Sequence, residues 1–223
     1  MEAELGFWQF SLQIIPRLWQ GMIITLELTL LSGVFGLLLG LLGALLRISP
    51  FAPLRYLAIA YITFFRGTPL LLQILFIYFA LPALIELRLD SFPSGVLALS
   101  LNSAAYFAEI FRAGIESIAK GQMEAARALG MSYSLAMRRI IIPQTFKRLI
   151  PPIVNELAAL SKDTSLVSVV ALSELLYVTQ RIGATYLRPW EVYFWAALGY
   201  LLVVMLLTFT ASRIEKNLAR KGG

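Results

Sequence analysis

Cysteine and histidine are both missing from the 223 residues. No disulfide can form, and no metal site can be built on thiolate or imidazole. No histidine is available for general acid–base work. Charge is scarce too: Asp, Glu, Lys and Arg supply 14% of the chain, against 59% apolar residues. Mean hydropathy is +0.77. A soluble domain of this length needs a far more polar surface. The alternating segments of about ten residues that mark a membrane barrel are also lacking. What is present instead are apolar runs longer than the roughly 18 residues that cross a hydrocarbon core about 30 Å thick. The expected class is an all-α polytopic membrane protein. The N-terminus has no basic start and carries Glu2 and Glu4, so it is not expected to be a cleaved signal.

Five spans are expected within a single membrane domain, residues 1–223. Phe7 to Trp19 is amphipathic, with Trp8 and Trp19 as interface anchors. The first span follows over about Met22–Leu46, with Gly33, Gly36, Gly40 and Gly43 on one face as a packing stripe. Leu54–Phe65 reads as a short interfacial or half-inserted helix. Arg66-Gly67-Thr68-Pro69 ends it, and a second span runs over about Leu70–Ile85. The third span covers about Ser94–Ile115. The fourth, Ile140–Leu176, is expected to be broken by Pro143, Pro151 and Pro152 and again at Ser161–Ser165. The fifth covers Trp190–Ala211.

The net charge of +6 is read as membrane topology and not as a nucleic-acid surface. With the N-terminus outside, Arg17, Arg88, Arg181 and Arg188 lie outside. Arg47, Arg55, Arg66, Arg112, Lys120, Arg127, Arg138, Arg139, Lys147, Arg148, Arg213, Lys216, Arg220 and Lys221 lie inside, as does the C-terminus.

This orientation makes the polar interruption near residues 121–143 cytoplasmic. Met123–Leu129 is rich in strong helix formers, Gly130 stops that helix, and Ser132 can cap a second. Alanines at 125, 126 and 128 keep one surface thin, as a helix seated in a partner's groove requires.

Glu124-Ala125-Ala126, Gly130, Ile140 and Ile142-Pro143 resemble the signature of ABC importer permeases, with Ile142 where Leu is usual. Phe65–Leu70, Ala105–Ile115, Lys162–Leu166 and Thr25-Leu26-Glu27-Leu28 are similar to the polar amino acid uptake subfamily. The resemblance covers most of positions 20–215. It implies a permease that pairs with a second permease chain, seats its coupling helix on two ABC ATPase subunits, and receives substrate from an extracytoplasmic binding protein. ATP and Mg would belong to the ATPase. The chain itself has no Gly-Lys pair, hence no phosphate loop, and is expected to be a transport subunit and not an enzyme. An ion-gradient transporter or channel is the alternative. Five spans without a visible repeat fit it poorly.

Ionisable groups inside a span cost about 2.5–3.5 kcal/mol at the helix centre even on lower scales, so each needs a reason. Glu27, near the outer end of the first span, is either a snorkelling carboxylate or a partner for a substrate cation. Lys162 and Asp163 fall at the expected break, where free helix ends can meet the charged ends of an amino acid. Glu156 precedes Asp163 by two turns, and either lines the same pathway or locks the fold. Asn102, Ser103 and Tyr106 are helix glue or pore lining. Thr68 can offer a hydroxyl beside free N–H groups. Glu109 and Arg112 are expected to pair. The surplus of carboxylate points to a basic amino acid such as arginine, lysine or histidine.

Overall fold

The computed structural model describes residues 6–86 and 89–220, the side chains of 214–220 excepted. The expectations at Glu2, Glu4, Arg88 and Lys221, and those for the side chains of Lys216 and Arg220, fall outside the described residues. Every regular element among the described residues is helical. In order they are α1 (Phe7–Arg47), α2 (Ala52–Gly67), α3 (Leu70–Leu75), a π-helical turn (Phe76–Ala80) and α4 (Leu81–Ile85). Then come α5 (Ser91–Glu116), α6 (Lys120–Ala128), α7 (Tyr133–Ala136) and a second π turn (Met137–Ile141). The chain ends with α8 (Ile142–Asp163), a 3₁₀ segment (Thr164–Val170), α9 (Leu175–Tyr186) and α10 (Pro189–Arg220).

Among the described residues, three helices are long and apolar enough to cross a membrane: α1, α5 and Pro189–Arg213 of α10. Two bent pairs pass the same test together. Ala52–Gly67 and Leu70–Ile85 meet at 105°, and Tyr133–Val170 and Leu175–Tyr186 at 54°. The first bend has a local cause. Thr68 precedes Pro69 and is held extended, at φ −119° and ψ 148°, because a proline ring disfavours the helical region for its predecessor.

The amphipathic start and the first span form one helix of 41 residues. Its C-terminal half packs on α5 through the glycine stripe. A Cβ at Gly40 would lie 2.5 Å from Phe107 Cβ and 3.0 Å from the Ala104 carbonyl, so the two backbones touch. Gly36 meets Ser103 and Phe107 in the same seam, and Gly43 meets Ala108. Gly33 faces Leu157 and Leu160 of α8. One buried cluster forms around Leu28, Ile74, Leu99, Leu160 and Val167. A second joins Phe10, Ile14 and Met22 to Leu175, Ile182 and Val192.

Three expectations need correction. Pro151 and Pro152 do not break the fourth segment: α8 runs through both to Asp163. Nor does the chain break at Ser161–Ser165, where the α-helix tightens into the 3₁₀ segment without leaving helical backbone. The break comes later. Ala171 turns left-handed at φ 58°, and the chain restarts as α9 after Glu174. The second short helix expected near Ser132 is also not a separate unit, since α7 passes through the π turn directly into α8.

Candidate transport site and coupling segment

The segment expected to face the cytoplasm folds as its residues dictate. Gly130 sits at φ +83°, a conformation open to glycine at little cost. The Met131 N–H donates to the Ala126 carbonyl at 3.1 Å and the Gly130 N–H to the Arg127 carbonyl at 3.0 Å, which closes the end of α6 as a Schellman motif. The Ser132 hydroxyl accepts the Leu135 N–H at 3.2 Å and caps α7. Ala126 turns inward and is buried, while Glu124, Ala125 and Gly130 are exposed. Large apolar side chains stand out beside them: Leu129 is 84% exposed and Tyr133 63%. An apolar tip on an otherwise polar bracket is the mark of a surface meant to be covered. Neither Leu129 nor Tyr133 was singled out in the sequence as part of such a surface.

Just inside this bracket, Glu109 of α5 gathers three arginines. Arg47 from α1 and Arg66 from α2 pair with it, as Arg112 does at 2.9 Å. Arg112 also pairs with Glu116. The expected Glu109–Arg112 pair is therefore present, but as part of a clamp across three helices. The sequence pointed to neither Arg47 nor Arg66 as a partner of Glu109, and of the two Arg66 has the further contacts. Its guanidinium lies 3.7 Å from Glu109, sits 5.2 Å over the Tyr106 ring, and is within electrostatic reach of Glu156. Glu156 also feels Asp163, and Asp163 feels Lys162. The fold thus brings Arg66, Tyr106, Glu156, Lys162 and Asp163 into one charged neighbourhood. Glu156 and Asp163 are half-buried, and Lys162 is exposed.

Other candidates stand elsewhere. Glu27 is exposed on α1 and has no partner among the described residues. Ser103 is buried in the α1–α5 seam against Gly36. Asn102 donates from Nδ2 to the Gln73 side-chain oxygen at 3.0 Å and to the Phe65 carbonyl at 3.3 Å. Gln73 in turn donates to the Thr68 hydroxyl at 2.9 Å and to the Phe65 and Thr68 carbonyls. The Thr68 hydroxyl donates back to the Phe64 carbonyl at 2.9 Å. These groups pin the 105° corner to α5. The free hydroxyl expected of Thr68 is thus already committed, and Gln73 is the missed residue that commits it.

The expected free helix ends at Lys162 and Asp163 do not exist, because the backbone there stays helical. Where the chain does break, its own side chains take up the exposed N–H groups. Glu174 is fully buried and accepts from the Leu176 and Tyr177 N–H groups at 2.9 and 2.7 Å and from the Tyr200 hydroxyl at 2.9 Å. The Thr25 hydroxyl accepts the Leu175 N–H at 3.1 Å. The carboxylate is an N-cap at the start of α9, shielded from lipid by the helices around it.

Comparison with known proteins places this arrangement. Residues 36–221 match the family of binding-protein-dependent transport system inner membrane components. The chain belongs to that family. The permease is 44% identical to the arginine transport system permease protein ArtQ of Bacillus subtilis, over 92% of this chain and 93% of that one. It is 43% identical to the L-cystine transport system permease protein TcyB of the same organism, over 98% and 90%. A solved amino acid ABC transporter with histidines superimposes with a TM-score of 0.90 at 37% identity, covering 96% of the permease and all of the other chain. The MetNI methionine ABC transporter in an inward-facing conformation gives a TM-score of 0.75 at 20% identity, over 92% and 98%, and shares the fold. The resemblance read from Glu124–Pro143 is borne out. As a member of this family the permease is a membrane transport subunit without an ATPase site of its own.

Proposed function

We propose that the permease crosses the bacterial cytoplasmic membrane five times, N-terminus outside, and serves an ATP-driven importer of basic amino acids. Each bent helix pair then counts as one span, as the pairs' combined length and apolarity allow. The observation that carries the reading is the bracket at Glu124–Gly130: exposed, apolar at Leu129, and continuous through α7 and the π turn with α8. Two ABC ATPase subunits, holding ATP and Mg, would seat this bracket in their clefts. A second permease chain would cover the exposed face of α1, and an extracytoplasmic binding protein would deliver the amino acid.

Closure of the ATPases would push α6 and α7. That push travels along α8 to Glu156, Lys162 and Asp163, and the two access states exchange. Substrate is assigned to the charged neighbourhood of Glu156, Lys162 and Asp163, with Tyr106, Asn102, Ser103 and Thr68 around it and Glu27 at the outer approach. The preference for a basic amino acid rests on the excess of carboxylate. ArtQ and TcyB are named for arginine and L-cystine transport, so their names alone leave the substrate open.

The deciding experiment is co-purification with a candidate ATPase, then ATPase assays across an amino acid panel with binding protein present. Stimulation by basic amino acids supports the reading. Transport by the permease without any ATPase overturns it. Glu27→Gln is expected to weaken uptake of basic amino acids more than of neutral ones, and equal loss removes Glu27 from the substrate path.

A further inference from the structure

A recess of about 650 Å³ opens between α1 and α9, and the coupling mechanism makes no use of it. Arg17 and Gln20 line it from α1, and Tyr177, Arg181 and Thr185 from α9. Ser173 lines it from the linker before α9. Its inner wall is the close approach of α1 to α9 at Gly21, where a Cβ would lie 3.0 Å from Leu175 Cα.

Its depth follows from the helix itself. Arg17 is thirty residues from Arg47, hence about 45 Å along the axis of α1. The hydrocarbon core is only about 30 Å thick. With Arg47 at the inner interface, the recess lies at the outer one.

Arginine is disfavoured on that side, where few basic residues are placed. Arg188 there is taken up by Glu191. Arg17 and Arg181 have no acidic partner among the described residues, yet distant parts of the sequence bring both to one cavity. Glu174, the buried carboxylate next to Ser173 in sequence, pairs with neither, and backbone N–H groups and Tyr200 hold it. Two guanidinium groups beside the Gln20 amide and the Ser173 and Tyr177 hydroxyls form a donor set for one oxyanion, the Thr185 hydroxyl being committed to the Arg181 carbonyl. The volume falls in the range of small-molecule sites, about 300–1,000 Å³.

We propose that this recess is an entry site for the α-carboxylate of the incoming amino acid, an inference that rests on the proposed importer function. Glu27 lies seven residues beyond Gln20, two turns and about 10 Å further in on nearly the same helix face. Positive charge outside and negative charge inside orient the substrate. The carboxylate is held outward at Arg17 and Arg181, and the cationic end leads toward Glu27.

The test uses the permease–ATPase complex in phosphatidylcholine nanodiscs, without binding protein. Radiolabelled arginine, glutamine and cystine are compared with their decarboxylated amines, agmatine and cystamine among them. The wild type is expected to favour arginine over agmatine by about tenfold or more. Arg17→Gln with Arg181→Gln brings that ratio close to one, and lysine at both positions restores part of it. If glutamine or cystine binds in place of arginine and the double variant still erases discrimination against the amine, the entry site stands and only the basic preference falls. A wild type that binds none of the three overturns the proposal, as does a double variant with unchanged discrimination. A double variant that alters only the dependence on added phosphatidylglycerol also overturns it, since the recess then holds a lipid headgroup.

Discussion

The α1–α5 seam and the α6 bracket each carry glycines, and the two sets have opposite purposes. In the seam, Gly40 lets two backbones come together with no space for a methyl group. In the bracket, Gly121 and Gly130 have nothing within 4 Å of where a Cβ would stand. The seam spends its small residues on contact within the chain. The bracket keeps its outer surface clear of the chain. One region has already used its packing energy, while the other holds it for a partner.

Substitution should expose this difference. Gly40→Ala is expected to cost about 2–3 kcal/mol, because Phe107 and the α5 backbone must move. Thermal unfolding in nanodiscs would read it, and an unchanged midpoint would mean that the seam is loose. Glu174→Gln keeps the shape but weakens three hydrogen bonds at a buried cap, with an expected loss of about 2 kcal/mol. Tyr200→Phe should cost about 1 kcal/mol, and a double-mutant cycle should show the two effects to be non-additive. Full additivity would separate the residues. Glu124→Lys should leave stability within about 0.5 kcal/mol while abolishing assembly with the ATPase or transport-coupled hydrolysis. A variant that remains coupled would remove Glu124 from the joint. Gly121→Ala should have the smallest effect and the opposite sign to Gly40→Ala: a gain of about 0.5 kcal/mol from lower backbone entropy. Equal effects of the two alanines would erase the contrast.

Local rules explain what could be read in advance. Gly33, Gly36, Gly40 and Gly43 announce a close approach by spacing alone. Gly130 and Ser132 act on their own neighbours, so their caps were legible. The coupling segment was legible by pattern. What was hidden depended on distant partners. Glu174 is a cap made safe by Tyr200, 26 residues later. Gln73 matters only because the corner at Pro69 swings it onto Phe65 and Asn102. Arg66 joins a clamp whose members come from three helices. The prolines of α8 misled because their cost is local while the packing that holds the helix around them is tertiary.

The unbroken path from α7 to Asp163 has a mechanical consequence. From Ala136 to Lys162 the helix covers about 39 Å, enough to cross a hydrocarbon core. A loop at this position would absorb displacement as slack, whereas a rod delivers it almost undiminished to its far end. The π turn at Met137–Ile141 and the prolines at 151 and 152 are the irregular points on the way. Under the proposed coupling, a few ångströms of travel at the bracket would reach the charged neighbourhood as a few ångströms of travel. Such a stroke would be geared one to one.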